Sequence, residues 1–279
     1  MAVKRKNKKE IAGNLAVLLI RTVFFLFFPS VFSAAFAGIR NITVLMAAGG
    51  ALEYNAFVRT LAGVCVLTIL AGRVFCGYAC AFGSLGDFVY WCSKTLRKKA
   101  GKKPVRLPEK YAKVLKYLKY VVLAGIMLLC WYGKNSAVTA FSPWTAFSLI
   151  HSRHFGAVPA GGAILLVFVT ALMAAEPRAF CRFLCPMGAV FSLLPVMPWA
   201  VVHRSRSGCL KGCRACSRVC PAGIDIVDGT YGDAGLMGEC FSCGKCMRAC
   251  PRKNIHILKG SVSGKTYEPE SRSSGKGTA

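Results

Sequence analysis

Two cysteine runs near the C-terminus have the spacing of iron–sulfur ligands. Residues 209–221 read C-LKG-C-RA-C-SRV-CP, and residues 240–251 read C-FS-C-GK-C-MRA-CP. The second run follows the pattern C-x2-C-x2-C-x3-C-P, in which three thiolates bind one [4Fe–4S] cube and the fourth binds its neighbour. The first run differs by one extra residue between Cys209 and Cys213.

Together the two runs predict two [4Fe–4S] clusters with crossed ligands. The first cluster is assigned to Cys209, Cys213, Cys216 and Cys250, and the second to Cys240, Cys243, Cys246 and Cys220. A tetrahedral Zn²⁺ is the alternative for each set, but paired runs that each end in Cys-Pro are rare in zinc proteins. Short β-rich runs follow both Cys-Pro pairs, at Ile224–Val227 and Ile255–Leu258, and predict a strand in each half. We therefore expect a small α+β ferredoxin domain over residues 203–260.

Four further cysteines occur in an internal repeat. The segment Arg73-Val-Phe-Cys76-Gly-Tyr-Ala-Cys80-Ala-Phe-Gly83 aligns with Arg178-Ala-Phe-Cys181-Arg-Phe-Leu-Cys185-Pro-Met-Gly188. The Arg, the Phe, both cysteines and the final Gly recur in register. Cys76, Cys80, Cys181 and Cys185 are candidates for a further cluster, for redox dithiols or for small packing residues, and the sequence leaves these alternatives open.

Apolar segments must position these motifs. They lie at residues 11–37, 56–75, 117–133 and 160–175, each near the roughly 20 residues that cross a bilayer core. Each copy of the repeat follows an even-numbered segment. Residues 1–202 are therefore predicted to form an all-α membrane bundle of about four spans, arranged as two related helix pairs. The Ser-, Gly- and Lys-rich residues 261–279 are predicted to be a disordered tail.

The basic residues indicate an orientation in the membrane. The chain has 37 Lys and Arg against 11 Asp and Glu, a net charge of +26. Basic residues crowd the stretch 92–119, whereas 39–55 and 134–158 carry few charges. The positive-inside rule then predicts a multi-pass protein of the cytoplasmic membrane, with its N-terminus and its ferredoxin domain in the cytoplasm. Because the charges follow this topology, they favour anionic lipid over nucleic acid as the partner.

The paired R-x-F-C-x3-C motifs after apolar segments, followed by two ferredoxin motifs, resemble the NapH-like family of membrane iron–sulfur proteins. The polyferredoxin part of regulators of nitrous oxide reductase, the NosR type, is similar. The family's first motif is C-x3-C-P, and Ala81 stands at the position of that proline here. The resemblance implies a quinol-dehydrogenase-like electron-transfer component that serves a partner reductase. It also implies that any flavin belongs to a partner, and the expected partner is a reductase, an exported flavoprotein or a cytochrome.

Residues and resemblance together predict electron transfer from quinol, or from a cytoplasmic donor, to a partner reductase. The chain supplies a redox path and no substrate chemistry of its own, since cofactors carry the electrons. The alternative is an assembly, maturation or regulatory factor that uses its clusters on behalf of another metalloenzyme.

Overall fold

The structure is a computed structural model of the 279-residue chain, and it describes residues 8–28, 30–50, 55–101, 108–197, 200, 202–204, 209–210, 212–226 and 238–257. The described α-helices are α1 (Lys8–Phe27), α2 (Val31–Ala47), α3 (Ala56–Ala71), α4 (Ala81–Lys99), α5 (Glu109–Leu115), α6 (Leu118–Trp131), α7 (Asn135–Ala140), α8 (Pro143–His151), α9 (Ala160–Ala175), α10 (Pro186–Leu193), α11 (Ala215–Val219) and α12 (Lys245–Ala249). Two π-helical turns, π1 (Phe75–Ala79) and π2 (Phe180–Leu184), precede α4 and α10, and a 3-10 turn spans Phe155–Ala157. The strands are β1 (Val202–Arg204) and β2 (Ile255–Ile257). The predicted tail over residues 261–279 lies outside the described residues.

The internal sequence repeat is also a structural repeat. The order α3, π1, α4 in the first copy matches the order α9, π2, α10 in the second. The second cysteine of each copy ends the π turn in an extended conformation, with φ −69° and ψ 113° at Cys80 and φ −71° and ψ 114° at Cys185. Each of these cysteines is also the N-cap of the helix that follows. The same local geometry therefore holds the cysteine pair in both copies.

Aromatic rings fill the core between the two copies. The ring centroid of Trp144 on α8 lies 4.6 Å from that of Phe36 on α2. Phe82 on α4 lies 4.7 Å from Phe180 on π2, so the first copy contacts the second directly. Helix α9 packs against both α4 and α8. The turn π1 leads into α4, and the turn π2 follows α9. The contact between α4 and α9 therefore brings the two π turns to the same end of the helical part.

One described helical segment, Lys110–Trp131, is long and apolar enough to cross a membrane. A second candidate exists if α1 and α2, which are bent by 60° against each other, are taken as one span. Helices α3 and α9 are apolar but have 16 residues each, fewer than the roughly 20 of a full span. The predicted helical fold is confirmed. The lengths of the described helices support one or two of the four predicted spans.

The C-terminal part is built on one antiparallel strand pair. Strand β1 pairs with β2, with Val202 opposite Ile257. Val202 and Ile255 pack with Cys216 and Ile226 in a small core of their own. The strand pair ties the start of this part to its end, and the two cysteine runs lie between them.

The predicted strand after the first Cys-Pro is wrong for its described residues, Ile224–Ile226, which have no strand structure; Val227 lies outside the described residues. The backbone N–H of Ile226 donates to the Ser217 hydroxyl (3.0 Å), and that hydroxyl donates to the Asp225 carboxylate (2.9 Å). The Ser217 side chain thus accepts the backbone N–H of Ile226, which in a strand would donate to the neighbouring strand. The partner of β2 comes instead from the residues that precede the first cysteine run.

Candidate metal centres

The first recess in the C-terminal part is lined by the four cysteines predicted for the first cluster. They are Cys209, Cys213, Cys216 and Cys250. Helix α11 carries Cys216, and Cys250 follows α12, so elements from both cysteine runs close the same space. The backbone N–H of Asn254 points to the sulfur of Cys250 at 3.4 Å. The extra residue after Cys209 does not displace that cysteine from the recess.

The second recess is lined by the other crossed set. It contains Cys240, Cys243, Cys246 and Cys220. Val202, Ile224, Ile226 and Phe241 supply apolar walls. Backbone N–H groups of residues 222–224 lie towards the sulfur of Cys220 and favour its thiolate form. N–H groups near a sulfur ligand stabilise its negative charge and so tune a cluster's potential.

The thiols of the second recess are poor acids without a bound cation. Burial, together with the neighbouring thiols, raises the pKa of Cys240 to about 11 and the pKa of Cys246 to about 12. Burial also raises the pKa of Cys220. These groups would stay protonated at neutral pH unless a metal displaced their protons. The donor set therefore suits a thiolate-bound metal group.

The spacing of the thiols distinguishes a cluster from a single ion. Among the described residues, no three His, Cys, Asp or Glu side chains converge closely enough to hold one metal ion. A Zn²⁺ site would need sulfurs about 2.3 Å from one centre. A cube of four irons binds each thiolate at a separate corner, so its ligands stand further apart. Four cysteines line each recess, and four is the number of thiolates that a cube requires.

The four cysteines of the repeats form a third set in the helical part. Cys76, Cys80, Cys181 and Cys185 are all buried and belong to one core cluster. Cys76 lies in π1 and Cys181 in π2. Burial raises the pKa of Cys181 to about 12, and the Cys76 thiol raises it further, so the two copies meet here. The backbone N–H of Gly188 donates to the sulfur of Cys185 at 3.2 Å.

Two buried arginines join the two copies. Arg73 donates from the first copy to the carbonyl oxygen of Gly188 in the second (3.2 Å). Arg178 donates from the second copy to the carbonyl oxygens of Cys76 (2.7 Å) and Gly77 (3.4 Å) in the first. Each side chain is only 1% exposed. Sequence reasoning assigned no role to these arginines, although their recurrence in register was the available signal.

The loop of the second recess is docked onto these arginines. The Phe241 ring lies between the two guanidinium groups, 5.1 Å from Arg73 and 5.4 Å from Arg178. At Gly77 the approach is so close that an added Cβ would lie 2.5 Å from the carbonyl oxygen of Phe241. Cys243 belongs to the same core cluster as the four cysteines of the repeats. The second recess and the repeat cysteines therefore share one packed joint.

Salt bridges hold the joint from both sides. Lys119 of α6 binds Glu239 (2.5 Å), and Arg73 lies 3.9 Å from the same carboxylate. Asp87 of α4 binds Lys245 of α12 at 3.2 Å. These pairs connect the helical part to residues 239–245 of the C-terminal part. None of them is visible in the local sequence pattern.

A family of known domains matches the repeats. Residues 58–103 and 158–197 match the family Fer4_5, described as a 4Fe-4S binding domain. The matched segments include the four repeat cysteines and end before the two C-terminal cysteine runs. No solved structure matches the chain.

Curated relatives match most of the chain. The uncharacterized protein MJ0750 of Methanocaldococcus jannaschii is 30% identical over 83% of this chain and 90% of its own length. A second protein of that organism, MJ0749, is 31% identical over 67% of this chain and 65% of its own length. The ferredoxin-type protein NapH of Haemophilus influenzae is 27% identical over 70% of this chain and 66% of its own length. The chain thus spans just under two thirds of MJ0749 and of NapH.

Proposed function

Since this chain belongs to the NapH-like family of ferredoxin-type iron–sulfur proteins, we propose that it is a membrane-bound component that carries electrons from quinol to a partner reductase. Iron–sulfur electron transfer is the activity that its relatives support. The membrane location, the quinol donor and the partner are the proposal.

The proposal rests mainly on how the cysteines line the two recesses: each recess takes three cysteines from one run and the fourth from the other run. One recess takes its cysteines from residues 209–216 and 250, and the other from residues 240–246 and 220. We assign these eight cysteines as the ligands of two [4Fe–4S] clusters. When bound, each cluster supplies a one-electron couple. The chain holds the pair side by side, because each cysteine run closes both recesses.

The surface of the helical part supports the membrane location. Large apolar side chains such as Leu18, Val121, Val167 and Phe168 are more than half exposed on three different helices, α1, α6 and α9. Water disfavours the exposure of such large apolar side chains, whereas lipid accommodates them. We propose four spans at the segments 11–37, 56–75, 117–133 and 160–175. The basic end of α4, with Arg97, Lys98 and Lys99, faces the cytoplasm in this arrangement.

The test is the reduction of the purified protein by quinol. The protein is isolated anaerobically in detergent and mixed with a menaquinol analogue while the iron–sulfur absorbance is recorded. We expect bleaching that oxidised quinone reverses. The Cys92→Ala variant should bleach like the unaltered protein, because Cys92 lies on α4 outside all three cysteine sets.

A lack of bleaching by quinol, in protein that dithionite still bleaches, would contradict the quinol donor. It would favour a cytoplasmic donor or the maturation role. Protein that binds no iron at all would contradict the assignment of the two clusters.

A further inference from the structure

The joint between the helical part and the C-terminal part has more positive than negative charge. Asp87 accepts ion pairs from Arg21 (2.9 Å), Arg178 (2.9 Å) and Lys245 (3.2 Å). The other carboxylate in the joint, Glu239, faces Arg73 and Lys119. Five cations therefore meet two carboxylates within the described residues of the joint.

Three of these five cations are almost fully buried. Arg73 and Arg178 are 1% exposed, and Lys119 is 0% exposed. Charges removed from water need partners of opposite sign, and an unmatched buried charge is strongly unfavourable. In addition, the Nε–H of Arg73 has no hydrogen-bond partner among the described residues. The joint thus fits a buried anion.

The four repeat cysteines lie against this excess of charge. Both Arg73 and Arg178 act electrostatically on Cys181, and Arg178 also acts on Cys243 of the second recess. Neutral thiols or a disulfide would leave the positive charge unmatched. Four thiolates around iron and sulfide carry net negative charge and would match it. The 4Fe-4S binding family also matches the two segments that contain these cysteines.

We propose that Cys76, Cys80, Cys181 and Cys185 hold a third iron–sulfur cluster, two thiolates from each copy of the repeat, with Arg73 and Arg178 as its fixed counter-charges. A cluster held by these cysteines would supply a one-electron couple, and the Phe241 loop would lie between it and the centre of Cys220, Cys240, Cys243 and Cys246. In an exchange between the two centres one would lose the electron that the other gains, with no bond or proton transferred. The redox path would then extend from the C-terminal part into the helical part. The inference deepens the proposed function and rests on it only for the direction of electron flow.

The first measurement is the iron and acid-labile sulfide content of the unaltered chain, purified anaerobically. We expect more iron and sulfide than two cubes contain. The Cys181→Ala variant should lose the excess and keep the electron paramagnetic resonance signals of the two C-terminal clusters. The Cys130→Ala variant should keep all of the iron, because Cys130 is a buried cysteine outside the three sets.

The Cys216→Ala variant separates this inference from the proposed function. It should lose one C-terminal cluster and keep the third. An unaltered chain with no iron beyond two cubes would overturn the third cluster, and so would a folded Cys181→Ala variant with unchanged iron. If Cys181→Ala does not fold, the content of the unaltered chain decides. Unchanged iron in Cys216→Ala would instead defeat the assignment of the C-terminal ligands.

Discussion

Asp87 is the residue at which three cationic side chains meet. Arg178 is its closest electrostatic partner, and with Lys245 and Arg21 it holds the pKa of this buried carboxyl well below its usual range. The ion pairs outweigh burial, which alone would raise that pKa. Asp87 therefore stays ionised and serves as the common anchor for α1, the segment between α9 and π2, and α12 in the joint.

The Asp87→Asn variant should be strongly destabilised. It leaves the Arg178 guanidinium buried without its carboxylate, which costs about 3–5 kcal/mol in comparable buried pairs. The free energy of unfolding in detergent measures this effect. Asp225→Asn is the control, because the Arg214–Asp225 pair is 51% and 36% exposed and should contribute only about 0–1 kcal/mol. Equal unfolding free energies for the two variants would contradict the anchoring role.

Single residues differ in how far the sequence reveals them. The spacing of the eight C-terminal cysteines predicted how they group, four around each recess, because the ligands of a cluster occur at short intervals on a tight loop. Even Cys209 lines the expected recess, although one residue more than usual separates it from Cys213. The roles of Asp87 and Phe241 could not be predicted in this way. Their partners are distant in the sequence, and only the fold brings them together.

Among the elements, the π turns were not predictable from the apolar pattern. That pattern indicates where α3 and α9 begin and approximately where they end, but it does not indicate a change of helical type. The recurring motif was the better guide, since both of its copies form the same turn. Ala81 replaces the family's proline, yet the backbone of Cys80 matches that of Cys185, which does precede a proline. Packing thus fixes π1 without the restriction that proline would add.

The Gly77→Ala variant should weaken the docking of the Phe241 loop onto π1. Its new Cβ would lie 2.5 Å from the Phe241 carbonyl oxygen, a distance that forces backbone to move. We expect a loss of about 1–3 kcal/mol in the free energy of unfolding, as for other overpacked sites. Thermal and denaturant unfolding in detergent measure it.

Gly125→Ala is the matched control for Gly77→Ala. Gly125 lies within α6, and an added Cβ there meets nothing within 4 Å. Alanine is the better helix former, so this variant should be neutral or more stable by roughly 0.5–1 kcal/mol. If Gly77→Ala matched this control, the close approach at π1 would not limit the packing of the joint.

The whole molecule combines an apolar helical part with basic segments at one end. Its charges were predicted to follow a membrane topology, and the helix lengths alone support only one or two spans. Helices α3 and α9 end before Gly72 and Glu176, whose backbones are not helical, and the π turns begin only at Phe75 and Phe180. The orientation is therefore a matter for experiment.

Fusions to a reporter enzyme that is active only outside the cytoplasm would test the proposed topology. A fusion at Gly101, after the basic end of α4, should be inactive. A fusion at Gly156, in the turn between α8 and α9, should be active. The opposite pair of activities would reverse the orientation, and two inactive fusions would contradict the third span, which lies between the two fusion sites.

The crossing of the two arginines bears on the origin of the chain. Arg73 completes the second copy of the repeat, and Arg178 completes the first. A shorter ancestral chain with a single copy would have lacked the arginine that its own carbonyl groups require. It would have obtained that arginine only from an identical neighbour, in a symmetric dimer in which each subunit supplied the other. Gene duplication and fusion would then have turned that exchange between subunits into a contact within one polypeptide, and freed the two halves to diverge, as Ala81 and Pro186 have done.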